Sequence, residues 1–136
     1  MMIYIASHSQ PRARELKGVL ESQGHVIVAR WIDCDAKFGL GVGAYSDEER
    51  RALAVMDEED VRTADALVLL AEPEGHMVPG GKHVETGMAI ALHRPVFVVG
   101  RRENLFHWHP AVTLVPTVDA LLPELARRLP AARSVR

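Results

Sequence analysis

The chain holds a single cysteine, Cys34, among its 136 residues. That excludes an intramolecular disulfide and any cysteine-rich zinc site. Aromatic residues are scarce, at 5%. An excess of charge is also missing, since 16 Lys and Arg stand against 18 Asp and Glu, a formal net charge of −2. A surface that coats a nucleic-acid polymer needs a marked basic excess, so no such partner is expected. No apolar run approaches the roughly 20 residues of a membrane span, and no basic stretch followed by an apolar run opens the sequence. The expectation is a cytoplasmic protein without a membrane partner.

What is present is ordinary for a globular protein, 48% apolar and 25% charged residues. The length suits one domain and would cramp two. We read a single domain over residues 1–130, followed by a frayed tail at 131–136.

Apolar runs alternate with amphipathic stretches. Met2 to Ala6 reads as a strand, and Pro11 to Gln23 as a helix with Leu16, Val19 and Leu20 on one face and Gly24 as its stop. His25 to Trp31 reads as a second strand. Asp33 to Tyr45, with Gly39, Gly41 and Gly43, reads as a mobile loop. Ser46 then caps a helix with an acidic first turn that runs to about Thr63. Ala66 to Leu70 is apolar throughout, as in a strand buried on both faces. A helix is expected from about Lys82 to His93, strands at Pro95–Gly100 and Val112–Val115, and a last helix from Thr117 to about Leu129. Such alternation predicts an α/β fold: a doubly wound, five-stranded parallel sheet of flavodoxin-like order 2-1-3-4-5, with helices on both faces.

In sheets of this kind ligands sit beyond the carboxyl ends of the strands, near the switch point between strands 1 and 3. After strand 1 come Ser7, Ser9 and Arg12, whose hydroxyls and flanking N–H groups suit an anion or a sugar hydroxyl, or simply a helix cap. Tyr4 lies inside an apolar strand and must place its hydroxyl somewhere polar, or else merely packs in the core. After strand 3, Gly80 and Gly81 allow backbone to approach a ligand at a helix start. Glu85 follows; it either complements the helix dipole or faces a cleft, and the apolar turn Gly87-Met88-Ala89-Ile90 favours the cleft. Neither a Walker loop nor a GxGxxG run occurs.

Ile3-Tyr4-Ile5, Asp57 ahead of Ala64-Asp65, the run Gly81-x-x-x-Glu85-x-Gly87-x-Ala89, and Arg94-Pro95-Val96 form an ordered set across residues 2–100. The set resembles the nucleoside 2-deoxyribosyltransferase superfamily, including its deoxynucleoside 5′-monophosphate N-glycosidase-like members. The resemblance implies cleavage or transfer at the N-glycosidic bond of a 2′-deoxynucleoside or its monophosphate. It implies Glu85 as the nucleophile at C1′, Tyr4 as the group orienting that carboxylate, and Asp57 near the sugar hydroxyls and the departing base. A carboxylate suits this chemistry because it can capture an oxocarbenium-like centre. Asp60 is the neighbouring candidate should the helix register differ by a turn, and a solvated acidic face is the plain alternative to both. The Asn104-Leu105 segment resembles one that reaches a neighbouring subunit's site, which implicates Asn104 and a homo-oligomer. The chain departs from the family at Pro79, where members carry an aspartate or serine, and in lacking a glycine-rich run after strand 1.

No cofactor is expected. A non-catalytic nucleotide-binding module is the competing reading, favoured by Pro79. A metal site is a third, suggested by His107 and His109 together with His76, His83 and His93. Without HExxH-type spacing, scattered surface histidines are the expectation.

Overall fold

The computed structural model describes residues 1–34, 41–76 and 80–128 of the chain. Pro79, residues 35–40 of the expected loop, and the tail after Pro130 lie outside them.

Five parallel strands form one sheet: β1 (Met2–Ala6), β2 (Val26–Ile27), β3 (Ala66–Leu70), β4 (Val96–Val99) and β5 (Val112–Val115), in the order β2-β1-β3-β4-β5. The register sets Ile3 beside Ala66, Leu67 beside Val96 and Val96 beside Val112. All five residues of β3 and all four of β4 are buried, which requires cover on both faces. The helices α1 (Gln10–Ser22), α2 (Asp47–Thr63), α3 (Gly81–Ala91) and α4 (Val118–Arg128) supply it. Helix α1 buries Ala13, Leu16 and Leu20, and α4 buries Leu121 and Leu125. No helix among the described residues is long and apolar enough to cross a membrane.

Local chemistry explains the boundaries. Ser9 caps α1 by accepting from the Arg12 N–H, and Gly24, at φ +88°, turns the chain out of it. Ser46 and Glu49 form a reciprocal capping box that opens α2. Gly100, at φ +113°, ends β4 where an added Cβ would stand 3.3 Å from that of Ala71.

The second strand is shorter than expected. Only Val26 and Ile27 pair with β1, and the chain then winds into a 3₁₀ turn at Arg30–Asp33. Side chains satisfy its backbone instead of a ladder. The Gln10 amide donates to the carbonyls of Trp31, Ile32 and Cys34 at 3.0–3.3 Å, and the Trp31 indole N–H donates to Ile5 O at 2.9 Å. Arg30 is held by Asp60, through its backbone N–H and its guanidinium, both at 2.9 Å. Strand propensity lost to these local bonds.

Candidate active site

A cleft of about 660 Å³ opens at the carboxyl ends of β1 and β3, the switch point of the sheet. Asp57 and Glu85 line it, and the Tyr4 hydroxyl reaches Glu85. The three come from different elements. Tyr4 is fully buried in β1, Asp57 lies in the third turn of α2, and Glu85 in the second turn of α3. Helices α2 and α3 pack on one another, so the two carboxylates face the same space.

The Tyr4 hydroxyl donates to Glu85 Oε2. Burial, then the charges of Glu85 and Asp57, hold the phenol far above its usual range, so it stays a donor. Burial also raises the Glu85 carboxyl to about 8, opposed by the Tyr4 hydrogen bond and assisted by the charge of Asp57. Asp57 rises to about 6, first through burial and then through Asp60, with Arg30 pulling it back. Its Oδ1 is buried without a hydrogen-bond partner among the described residues. An orphaned carboxylate oxygen and two raised carboxyls thus share one cleft.

Asp57 lines the cleft, whereas Asp60 is buried one turn later against Arg30.

The other expected residues divide. Ser7, Ser9 and Gly81 line the cleft, with Ser7 Oγ and the Ser9 backbone bonding each other and Ser9 Oγ spent on its cap. Gly80 is exposed as the N-cap of α3. Arg12 does not line the cleft: its guanidinium donates to Ala71 O at 3.1 Å and pairs with Glu72 at 3.7 Å. Asn104, expected at a neighbouring subunit's site, caps the 3₁₀ turn Leu105–Trp108 outside this cleft and meets His83 Nδ1 at 3.0 Å.

Sequence reasoning missed Gln10, Trp31, Tyr45 and Lys82, which also line the cleft. Lys82 is the sharpest omission. Its ammonium is 2.7 Å from Glu103, and both side chains are buried. The pair holds the Glu103 carboxyl below its usual range, although burial alone would raise it. A lysine directly after two glycines at a helix start was the one available signal.

The cleft is polarised along its length. Towards β3 it is polar, bounded by Ser7, Ser9, Gly81 and Lys82 at the starts of α1 and α3. Towards the β2 edge Trp31, Val42, Tyr45 and Leu53 line it together with Arg50, whose guanidinium donates to Val42 O at 3.0 Å and pairs with Asp47 at 2.7 Å. Asp57 follows Leu53 by about one turn of α2, and Glu85 follows Lys82 by about one turn of α3, which sets the two carboxylates between those groups.

The expectation of surface histidines fails at His107. That ring is fully buried and accepts at Nδ1 from the Glu103 N–H at 2.9 Å, and its centroid lies 5.5 Å from that of His83 with the rings tilted by 55°. Burial lowers the pKa of both rings. His76, His93 and His109 are exposed as expected. No group of three metal-binding side chains occurs among the described residues.

No protein-family model and no curated protein matches the chain. Among solved structures, the CMP N-glycosidase BcmB of Clostridium botulinum superposes with a TM-score of 0.57 at 13% sequence identity. The match covers 93% of this chain and 99% of that one, so the two share a fold over their whole length.

Proposed function

We propose that this protein cleaves or transfers at the N-glycosidic bond of a 2′-deoxynucleoside or deoxynucleoside monophosphate, with Glu85 as the nucleophile. The observation that carries this reading is the convergence of Tyr4, Asp57 and Glu85 on one cleft at the switch point of the sheet. The fold shared with an N-glycosidase that acts on CMP supports it.

The chemistry follows from the groups. Tyr4 engages Oε2 of Glu85, leaving Oε1 to attack C1′. The reactive form is the one in which Glu85 is ionised and Asp57 holds the proton, the reverse of their resting order. The C1′–N bond breaks, its electron pair stays on the base nitrogen, and the Asp57 proton neutralises the leaving base. Glu85 then carries the sugar as an ester. In the second half, water attacks C1′ while Asp57 takes its proton, or a second base attacks in place of water. Either route returns Glu85. The Tyr4 hydroxyl orients the carboxylate and stabilises its charge as it leaves.

The test is direct. The protein is incubated with ribo- and deoxyribonucleosides and their 5′-monophosphates, and free base is followed by liquid chromatography. Base release from at least one class is expected. Calorimetric binding with no release from any of them would replace the enzyme by a non-catalytic binding module.

A further inference from the structure

One side chain at the apolar end of the cleft is held in a fixed orientation and has a function left over. Gln10 opens α1 and lines the cleft. Its Nε2 donates to three backbone carbonyls, those of Trp31 at 3.3 Å, Ile32 at 3.0 Å and Cys34 at 3.1 Å. An amide nitrogen has two hydrogens, so three acceptors saturate it. The same contacts settle which end of the amide is nitrogen, because a carbonyl oxygen there would face three others. Oε1 therefore points away from them. It has no partner among the described residues, and it is not buried from water. The amide thus offers the cleft an acceptor and no donor.

Position gives that acceptor a role. The three carbonyls belong to the segment after β2, at the end of the cleft where Trp31, Val42, Tyr45 and Leu53 offer aromatic and aliphatic surface and the Arg50 guanidinium is tied to Val42 O and Asp47. A nucleobase is flat and apolar on its faces, whereas its sugar and any phosphate are polar. With Glu85 between the two ends, the base falls beside Gln10 and the sugar carbon over Glu85.

We infer that Gln10 is a specificity-determining residue that selects bases bearing an exocyclic amino group over their oxo counterparts. The inference rests on the proposed reading of this cleft as a nucleoside or nucleotide site. An amino group donates to Oε1. A carbonyl at the same ring position sets two acceptors against each other. Sites built around one hydrogen bond reject the mismatched analogue more strongly than apolar pockets reject a missing methylene. The pinned amide cannot rotate to rescue the mismatch, because rotation would turn its oxygen onto three carbonyls.

The test uses matched pairs that differ at that one group, dCMP against dUMP and dAMP against dIMP. Dissociation constants come from calorimetry, and base release from chromatography. Wild-type protein is expected to favour the amino member of each pair by roughly tenfold or more. Gln10→Lys retains a donor for the three carbonyls but has no acceptor, so it should melt close to the wild type and lose the preference. Gln10→Met removes both and should lose the preference together with thermal stability. Equal affinity of the wild type for the members of both pairs overturns the inference, whatever the variants do. So does a folded Gln10→Lys protein that keeps the preference. Base release without discrimination defeats this inference and leaves the proposed activity standing. Amino preference in binding with no base release does the opposite.

Discussion

Glu85 is held between burial, which favours its protonated form, and the Tyr4 hydroxyl, which favours its charge; burial prevails, and the carboxyl rises from 4.5 to about 8. Two consequences follow at the scale of the residue. The native state binds this proton more tightly than the unfolded chain, so the stability it supplies is complete below about pH 4.5 and is lost as pH rises through 8. Glu85→Gln has no proton to lose and still offers Tyr4 an acceptor. Denaturant unfolding at pH 9 should therefore find it more stable than the wild type by about 2 kcal/mol, given about 1.4 kcal/mol per pKa unit and partial exposure of the site. The same variant should lose base release by roughly a thousandfold or more, since it removes the nucleophile. Tyr4→Phe should lose less, about 1.5–3 kcal/mol of barrier for one hydrogen bond to a charged group. Asp57→Asn should fall between them and change the shape of the pH profile of kcat/KM. The wild-type profile should be a bell with limbs near 6 and 8. With Asp57 removed as the acid, a single limb should remain, rising with pH as Glu85 ionises. A variant that keeps both limbs would remove Asp57 from the chemistry. A phenol in an apolar strand and a carboxylate after a Gly-Gly turn are each out of place, which is how the sequence singles out Tyr4 and Glu85, the two that meet at the cleft. Arg12 lies outside the cleft because a side chain's partner is set by tertiary neighbours, here Ala71 O and Glu72, that no local pattern encodes.

Among elements, those with a strong internal signal were read to the residue. Helix α2 has a capping box at one end and its expected stop at Thr63, and β3 is apolar from Ala66 to Leu70. Strand β2 was overestimated because its continuation is claimed by Gln10, Trp31 and Asp60, all side chains distant in sequence from the bonds they make or receive. Lys82 and Glu103 bind the start of α3, and so the helix that presents Glu85, to the segment after β4. Removing one partner strands a buried charge. Lys82→Met should destabilise the protein by about 3–5 kcal/mol in urea unfolding, and adding Glu103→Leu should restore most of that. If the double variant is as unstable as Lys82→Met, an orphaned Glu103 is not the cause.

The molecule as a whole is a parallel sheet whose adjacent strands β1 and β3 deliver a cleft, and the sheet was written in the alternation of apolar runs and amphipathic stretches. Its function depends on contacts between elements far apart in sequence, which is why the acceptor on Gln10 and the buried Lys82–Glu103 pair had to be seen in three dimensions. Self-association is a proposal at this scale. Leu105, Phe106 and Trp108 are 79%, 65% and 63% exposed on one 3₁₀ turn, an apolar surface that a second copy would cover. Light scattering at micromolar concentration should give a mass above the 15.0 kDa of one chain; a monomer throughout would refute it. The central claim, that Glu85 is the nucleophile, is tested most directly by rapid acid quenching of a turning-over mixture and mass spectrometry of the peptide carrying Glu85. The account predicts a sugar adduct on Glu85, absent from Glu85→Gln. Base release with Glu85 unmodified, sustained in Glu85→Gln at the wild-type rate, would contradict it.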